Sequence, residues 1–197
     1  MMDLIVIAAG RGSRFSDVGV DQPKPLVKFK NKPLFWWAAE SALSSREFSR
    51  VHFVILREHV LSHSIDRVVL SYYPQAKIHV IEAVTAGAAA TAAIACEKLD
   101  TKTPVAFCDC DVAFAFQSSS NFDLIIQQES SAALCVFQSS DPAYSYAVFN
   151  NDKKIYQTVE KEVASDWAIC GLYVFKSATF YLDNYHKYIQ SCKYEEL

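Results

Sequence analysis

"LIVIAAGRGSRF", residues 4–15, decides the fold. An apolar run passes without a polar break into a loop with two glycines and two arginines. Ten residues past Arg14 comes Lys24, inside "QPKPL". A continuous apolar run is what a strand covered on both faces requires. The loop at its end could serve a dinucleotide, a polyphosphate or only a tight turn. A dinucleotide fingerprint needs GxGxxG with an acid about 20 residues on. Gly10 and Gly12 are present, but Phe15 takes the third glycine's place, and no GxxxxGK[ST] loop occurs. The residues fit a polyphosphate better. Gly10 and Gly12 let backbone N–H groups turn inward as an anion nest. Arg11 and Arg14 add fixed positive charge, and Lys24 returns to the same place on the following loop.

Outward from this loop, apolar runs alternate with helical patterns. Strands are expected over 3–9, 50–56, 76–83 and 103–111. Helices are expected over 32–45, with Pro33 in the first turn, over 58–73 as one helix with a stripe of Val60, Leu61, Ile65, Val68 and Val69, and over 86–99. Strand–helix alternation implies right-handed crossovers and a largely parallel sheet. The pattern then changes: a short helix over 121–131, a strand over 132–140, a hairpin over 144–161 turning at Asn150-Asn151-Asp152, a strand over 166–175 and a serine-capped helix over 177–192. The second half therefore reads as antiparallel. No Pro/Gly/Ser linker, repeat or low-complexity tract interrupts residues 1–197, so the expectation is one α/β domain, a nucleotide-type half with an antiparallel appendage.

"CDCDV" places Asp109 and Asp111 at the end of an apolar strand, and alternation puts both on one face. Two like carboxylates this close are costly without a cation between them. Mg²⁺ prefers hard oxygen ligands, often one or two carboxylates plus phosphate oxygens. The pair therefore reads as a Mg²⁺ site at a phosphate. No Ser-His-Asp set is found.

Composition narrows the class. Hydrophobic residues make up 51% and charged residues 21% of the 197, and the net charge is −3. That balance does not favour nucleic acid or an anionic membrane, so a phosphate ligand must be held by a few placed cations. The cysteines, Cys96, Cys108, Cys110, Cys135, Cys170 and Cys192, form no CxxC pair, the usage of a reducing cytosol. The start lacks the basic-then-apolar pattern of a signal peptide, and no apolar stretch reaches the ~20 residues of a membrane helix. A cytoplasmic protein is expected. Glu58, His59 and His63 read as an exposed helix face rather than a metal site. One of Trp36 and Trp37 is expected in the core. Tyr181, Tyr185 and Tyr188 suit core or dimer contact, which leaves a homo-oligomer open.

"AAGRGSRF" followed by "PKPLV" resembles the signature of the sugar-phosphate nucleotidylyltransferases, whose Rossmann-like fold is shared with GT-A glycosyltransferases. "EAVTAGAAATA" (82–92) is similar to that family's small-residue segment over the base. "VEKEVASDWAICGLYVF" (159–175) is similar to its EK segment and the strand that follows. The resemblance implies that the backbone of Ala8, Ala9, Gly10, Arg11 and Gly12 cradles base and phosphates. It implies Arg14 on the β- and γ-phosphates, Lys24 on the α-phosphate and Gly87 against base or sugar. Glu160 would accept from hydroxyls of the second substrate, and Lys161 would hold its phosphate. Asp111, with Asp109 second, would bind Mg²⁺. The implied reaction is transfer of NMP from an NTP to a sugar phosphate, giving an NDP-sugar and pyrophosphate, in a nucleotide-sugar or polysaccharide pathway. A cytidylyltransferase acting on a non-sugar alcohol phosphate such as phosphocholine shares the opening motif. Full-length members carry a second metal-binding Asp near their C-terminal end. No aspartate follows Cys192 here, so the chain is expected to lack that end, and a non-catalytic nucleotide-sugar-binding module stands as the competing reading.

Overall fold

The computed structural model describes residues 2–12, 19–44, 48–100, 102–116 and 130–191. Along the chain run β1 (Asp3–Ala8), a 3-10 turn (Lys24–Leu26), the ribbon β2 (Lys28–Phe29) and β3 (Lys32–Pro33), α1 (Leu34–Leu43), β4 (Arg50–Leu56), α2 (Arg57–His63), α3 (Ile65–Tyr72), β5 (Lys77–Ile81), α4 (Ala88–Cys96), β6 (Val105–Asp109), β7 (Ala132–Gln138), β8 (Tyr146–Phe149), β9 (Ile155–Val159), β10 (Trp167–Phe175) and α5 (Ala178–Ser191). Among the described residues, eight strands form one sheet in the order β5-β4-β1-β6-β10-β8-β9, with β7 also on β10. The first four of these are parallel. β10 runs antiparallel to β6, β7 and β8, and β8–β9 is an antiparallel hairpin. The expected division into a parallel half and an antiparallel half is thus observed.

The apolar run of β1 is continuous because both of its faces are covered. Leu4, Val6 and Ala8 pack with Phe35, Ala38, Ala39 and Ala42 of α1 and with Ile65 and Val69 of α3. Ile5 faces the other way, onto Ala92, Ala93, Ala95 and Cys96 of α4 and Ala178 and Tyr181 of α5. Phe35, Phe53, Leu4 and Ile5 are fully buried, each contributing about 1.5–3 kcal/mol by leaving water. The alanines of α4 have short side chains, which bring that helix close to the sheet. The Tyr181 hydroxyl donates to Ala89 O at 2.8 Å, tying α5 to α4.

Four expectations need correction. Residues 58–73 are two helices: Ser64 has φ 51, left-handed, and ends α2 where α3 begins. A stripe of apolar side chains reports which way residues face and is blind to one reversed φ. His59 does not lie on an exposed face; it is buried, and burial depresses its pKa. The strand expected over 103–111 ends at Asp109, so Asp111 sits in the turn beyond it. The loop nest rests on Gly12 (φ 66), because Gly10 has no positive φ. The helix expected over 121–131 lies outside the described residues save its last two positions. Trp36 packs against the first core layer while the Trp37 ring N–H donates to Phe29 O at 2.8 Å. Tyr181 is buried in the core, whereas Tyr188 is exposed. The serine cap holds: Phe180 N–H donates to Ser177 Oγ at 3.0 Å.

At the amino ends of the parallel strands lies a buried polar chain. Asp3, wholly buried, meets Arg50 Nη2 at 3.1 Å and His52 Nε2 at 3.4 Å, and His52 Nδ1 lies 2.9 Å from His79 Nε2. The two imidazoles stack with centroids 5.2 Å apart. No helix of the described residues is long and apolar enough to cross a membrane.

Candidate nucleotide-binding edge

Parallel strands put their carboxyl ends at one edge, the place where ligands bind in open α/β sheets. Ala8 and Ala9 both send side chains into the core, one to each face, so only their backbone is available beyond β1. Gly12 needs to be glycine. Its φ is 66, and a Cβ there would lie 2.7 Å from Lys24 Cβ. Gly10 is exposed, and a Cβ there would meet nothing within 4 Å. Arg11 is exposed, with Nε 4.0 Å from Glu58 Oε2. Arg14 lies outside the described residues.

Lys24 opens the 3-10 turn "KPL", whose Pro25 and Leu26 are buried and anchor it. Its ammonium pairs with the Asp111 carboxylate. Asp109, at the end of β6, is pushed up to about 6, by burial first and then by the Asp111 charge, with Lys24 opposing. The backbone of Gly171 seats Asp109. Gly171 has φ 83, and a Cβ there would come 2.8 Å from Asp109 Oδ2 and 2.9 Å from Val112 Cγ1. Gly171 falls where the β7–β10 register shifts between Ile169 and Tyr173. Sequence reasoning gave Gly171 no role, although a glycine inside a strand is the signal of a bulge or a close approach.

At the outer part of the edge, Arg57 Nη2 meets Glu82 Oε1 at 2.8 Å, linking the ends of β4 and β5. This pair too went unread in the sequence. Gly87 precedes α4 in an extended conformation, and space around it is open. Thr85 Oγ1 donates to Gly87 O at 2.8 Å and lies 2.7 Å from Thr91 Oγ1, fastening this loop to the helix. Beside Arg11, a cavity of about 260 Å³ lies between residues 19–23 and α2.

Glu160 and Lys161 follow β9 and pair with each other at 2.9 Å, both exposed. Val159 is level with Tyr146, and Tyr146 with Ala168. Ala168 stands four residues before Leu172, which faces Cys108. β9 is three strands across the sheet from β6, so at about 4.8 Å between neighbouring strands the pair stands roughly 14 Å to the side of β6, on the flange made by β8, β9 and the first half of β10. Among the described residues, no ion pair or hydrogen bond joins it to Lys24, Asp109 or Asp111.

The acids fit a hard divalent cation. Two interacting carboxylates, one half-buried and shifted toward its neutral form, still repel each other with Lys24 present. Among the described residues no group of three or more His, Cys, Asp or Glu could hold a metal ion. Such a cation would take its remaining ligands from phosphate and water, the habit of Mg²⁺.

A glycine loop after the first strand, a lysine returning beside it and paired acids at the neighbouring strand end thus gather at the carboxyl edge of an α/β sheet. The chain belongs to the nucleotidyl transferase family, whose model matches residues 4–196. It is similar to the mannose-1-phosphate guanylyltransferase catalytic subunit beta of Danio rerio, at 26% identity over 185 residues, 90% of this chain and 50% of that protein. The chain therefore spans about half the length of that relative. Among solved structures it resembles the nucleoside-diphosphate-sugar pyrophosphorylase of Vibrio cholerae RC9, with TM-score 0.77, 26% identity, and coverage of 98% of this chain and 83% of that one. It shares the fold of the inositol-1-phosphate CTP transferase of T. maritima, with TM-score 0.72, 19% identity, and coverage of 92% and 72%.

Proposed function

We propose that this chain transfers a nucleoside monophosphate from an NTP to a sugar phosphate, releasing pyrophosphate and forming an NDP-sugar. The observation that carries this reading is Lys24. It is packed against Gly12 and paired with Asp111 at the carboxyl edge, so one cation touches both the loop for phosphates and the acid for a metal.

In this reading the backbone of Ala8, Ala9, Gly10, Arg11 and Gly12 receives base and phosphates, and Gly87 leaves room for the base or sugar. Arg14 and Lys24 neutralise the triphosphate. Glu160 and Lys161 hold the acceptor's hydroxyls and phosphate, approaching from the flange. Asp111 and Asp109 would hold Mg²⁺, which when bound draws charge from the α-phosphate. A phosphate oxygen of the acceptor forms a bond to the α-phosphorus in line. The bond from that phosphorus to the β-phosphate oxygen breaks, and pyrophosphate leaves with its electrons. The nucleophile is already an anion, so no general base is required. The work is positioning and charge neutralisation. Residues 1–197 act as one nucleotidyltransferase domain in this reading, in the cytoplasm, in nucleotide-sugar supply for polysaccharide synthesis. The five unbridged cysteines of the described residues support that location.

The test is pyrophosphate release with each of the four NTPs, against a panel of sugar phosphates and phosphocholine, in Mg²⁺. Release that needs one NTP and one sugar phosphate is the expected outcome. Turnover with phosphocholine alone would move the acceptor outside sugars. NTP binding without turnover would overturn the transfer reading in favour of a binding module.

A further inference from the structure

Five cysteines are described, and they divide sharply. Cys96, Cys108 and Cys110 are buried, and burial lifts their thiols out of reach of ionisation, Cys96 and Cys110 to about 12. Cys135 on β7 and Cys170 on β10 are only half-buried and face each other. Val136 pairs with Ile169 and Leu134 with Tyr173, so Cys135 alone spans the bulge made by Cys170, Gly171 and Leu172. The Cys135 thiol donates a hydrogen bond to the Cys170 sulfur. Each cysteine adjoins the registered pair Val136–Ile169, and neighbouring strands lie about 4.7–4.9 Å apart, inside the range of Cα separations a disulfide spans.

We propose that Cys135 and Cys170 are a redox-active dithiol, which small-molecule disulfides convert to a cross-strand disulfide. Cys170 is the attacking thiol. It accepts from the Cys135 thiol and from the backbone N–H groups of Leu172 and its own residue, which outweigh burial and the nearby Asp109 charge and hold it below the ordinary thiol value. A depressed thiol in a partly open place is the one that reacts. Its thiolate attacks one sulfur of glutathione disulfide, the S–S bond breaks, and a glutathione thiolate leaves. Cys135 then gives its proton to solvent, attacks the Cys170 sulfur of the mixed disulfide and expels the second glutathione. One glutathione disulfide is reduced to two thiols, and the protein pair is oxidised by two electrons. The bond would fasten β7 to the bulge that carries Gly171, one residue from Cys170. The thiol chemistry stands independently of what the carboxyl edge binds.

The test is exposure of the whole chain to graded ratios of oxidised to reduced glutathione, followed by acid quench, intact mass and peptide mapping. The expected product has lost two hydrogens and yields a peptide linking Cys135 to Cys170, while Cys96, Cys108 and Cys110 remain thiols. Cys135→Ser should instead accumulate glutathione on Cys170, and Cys170→Ser should leave Cys135 unmodified at the same ratio. Circular dichroism checks that each one-atom variant stays folded. Both cysteines remaining thiols, each carrying its own glutathione, or a bridge formed to Cys192 instead, would each overturn the assignment.

Discussion

The two ends of the same parallel strands treat charge in opposite ways. At the amino end, Asp3 is wholly buried between Arg50 and His52, and burial's upward push on its carboxyl is outweighed by those two partners, so the net shift is downward. At the carboxyl end, Asp109 is half-buried, the charge that acts on it most is that of another acid, and it is pushed up to about 6. One acid is drawn down by basic partners of the fold, and the other is held up by burial and a neighbouring acid. A buried acid held down by basic partners reads as structure, and one held up beside a like charge is a site candidate.

Substitutions can break this comparison. The largest effect is expected from Asp3→Ala, which strands Arg50 and His52 and should cost about 3–5 kcal/mol of stability, read by urea unfolding. Loss of turnover per folded molecule would contradict its purely structural part. Lys24→Ala should do the reverse: nucleotidyl transfer falls about 100-fold or more, while the unfolding midpoint barely moves. Gly171→Ala sits between the two. A Cβ at φ 83 against Asp109 should cost about 2–3 kcal/mol, and it should also weaken Mn²⁺ binding, measured by paramagnetic relaxation. An unchanged midpoint and unchanged Mn²⁺ affinity would remove Gly171 from the seat of Asp109.

The smallest effect is one of pH. His79 is held down to about 4 by burial first, then by His52 and Lys98. Its neutral form is favoured in the fold, so unfolded chains bind a proton that the native state refuses. The stability this contributes is present above about pH 6.5 and is lost as pH falls toward 4, about 2 kcal/mol of it by pH 5. His79→Phe should flatten that slope in denaturant titrations at pH 7.5 and 5. An equal slope in both proteins would place the sensitivity elsewhere, His59 being the next candidate because its pKa is depressed in the same direction.

What could be read from the sequence follows from how far each feature reaches. The β1 run and the Asn150-Asn151-Asp152 hairpin depend on neighbouring residues and were legible. So was the Gly12–Lys24 approach, because the resemblance carried it across a short loop. The break at Ser64 was not, since periodicity does not report the sign of φ. The Asp3–Arg50–His52–His79 chain was invisible for another reason. It exists only once β1, β4 and β5 are set in register, and no local pattern joins residues so far apart. Asp109 and Asp111 were found together, but for a partly mistaken reason: strand alternation does not extend to Asp111, which reaches Lys24 from a turn.

The missing methyl at Gly12 works as a spacer of zero thickness between two loops. With nothing between them, the first loop and the lysine turn sit like meshed teeth: neither can advance without displacing the other. Any side chain at this point would therefore push against the lysine whose ammonium meets Asp111.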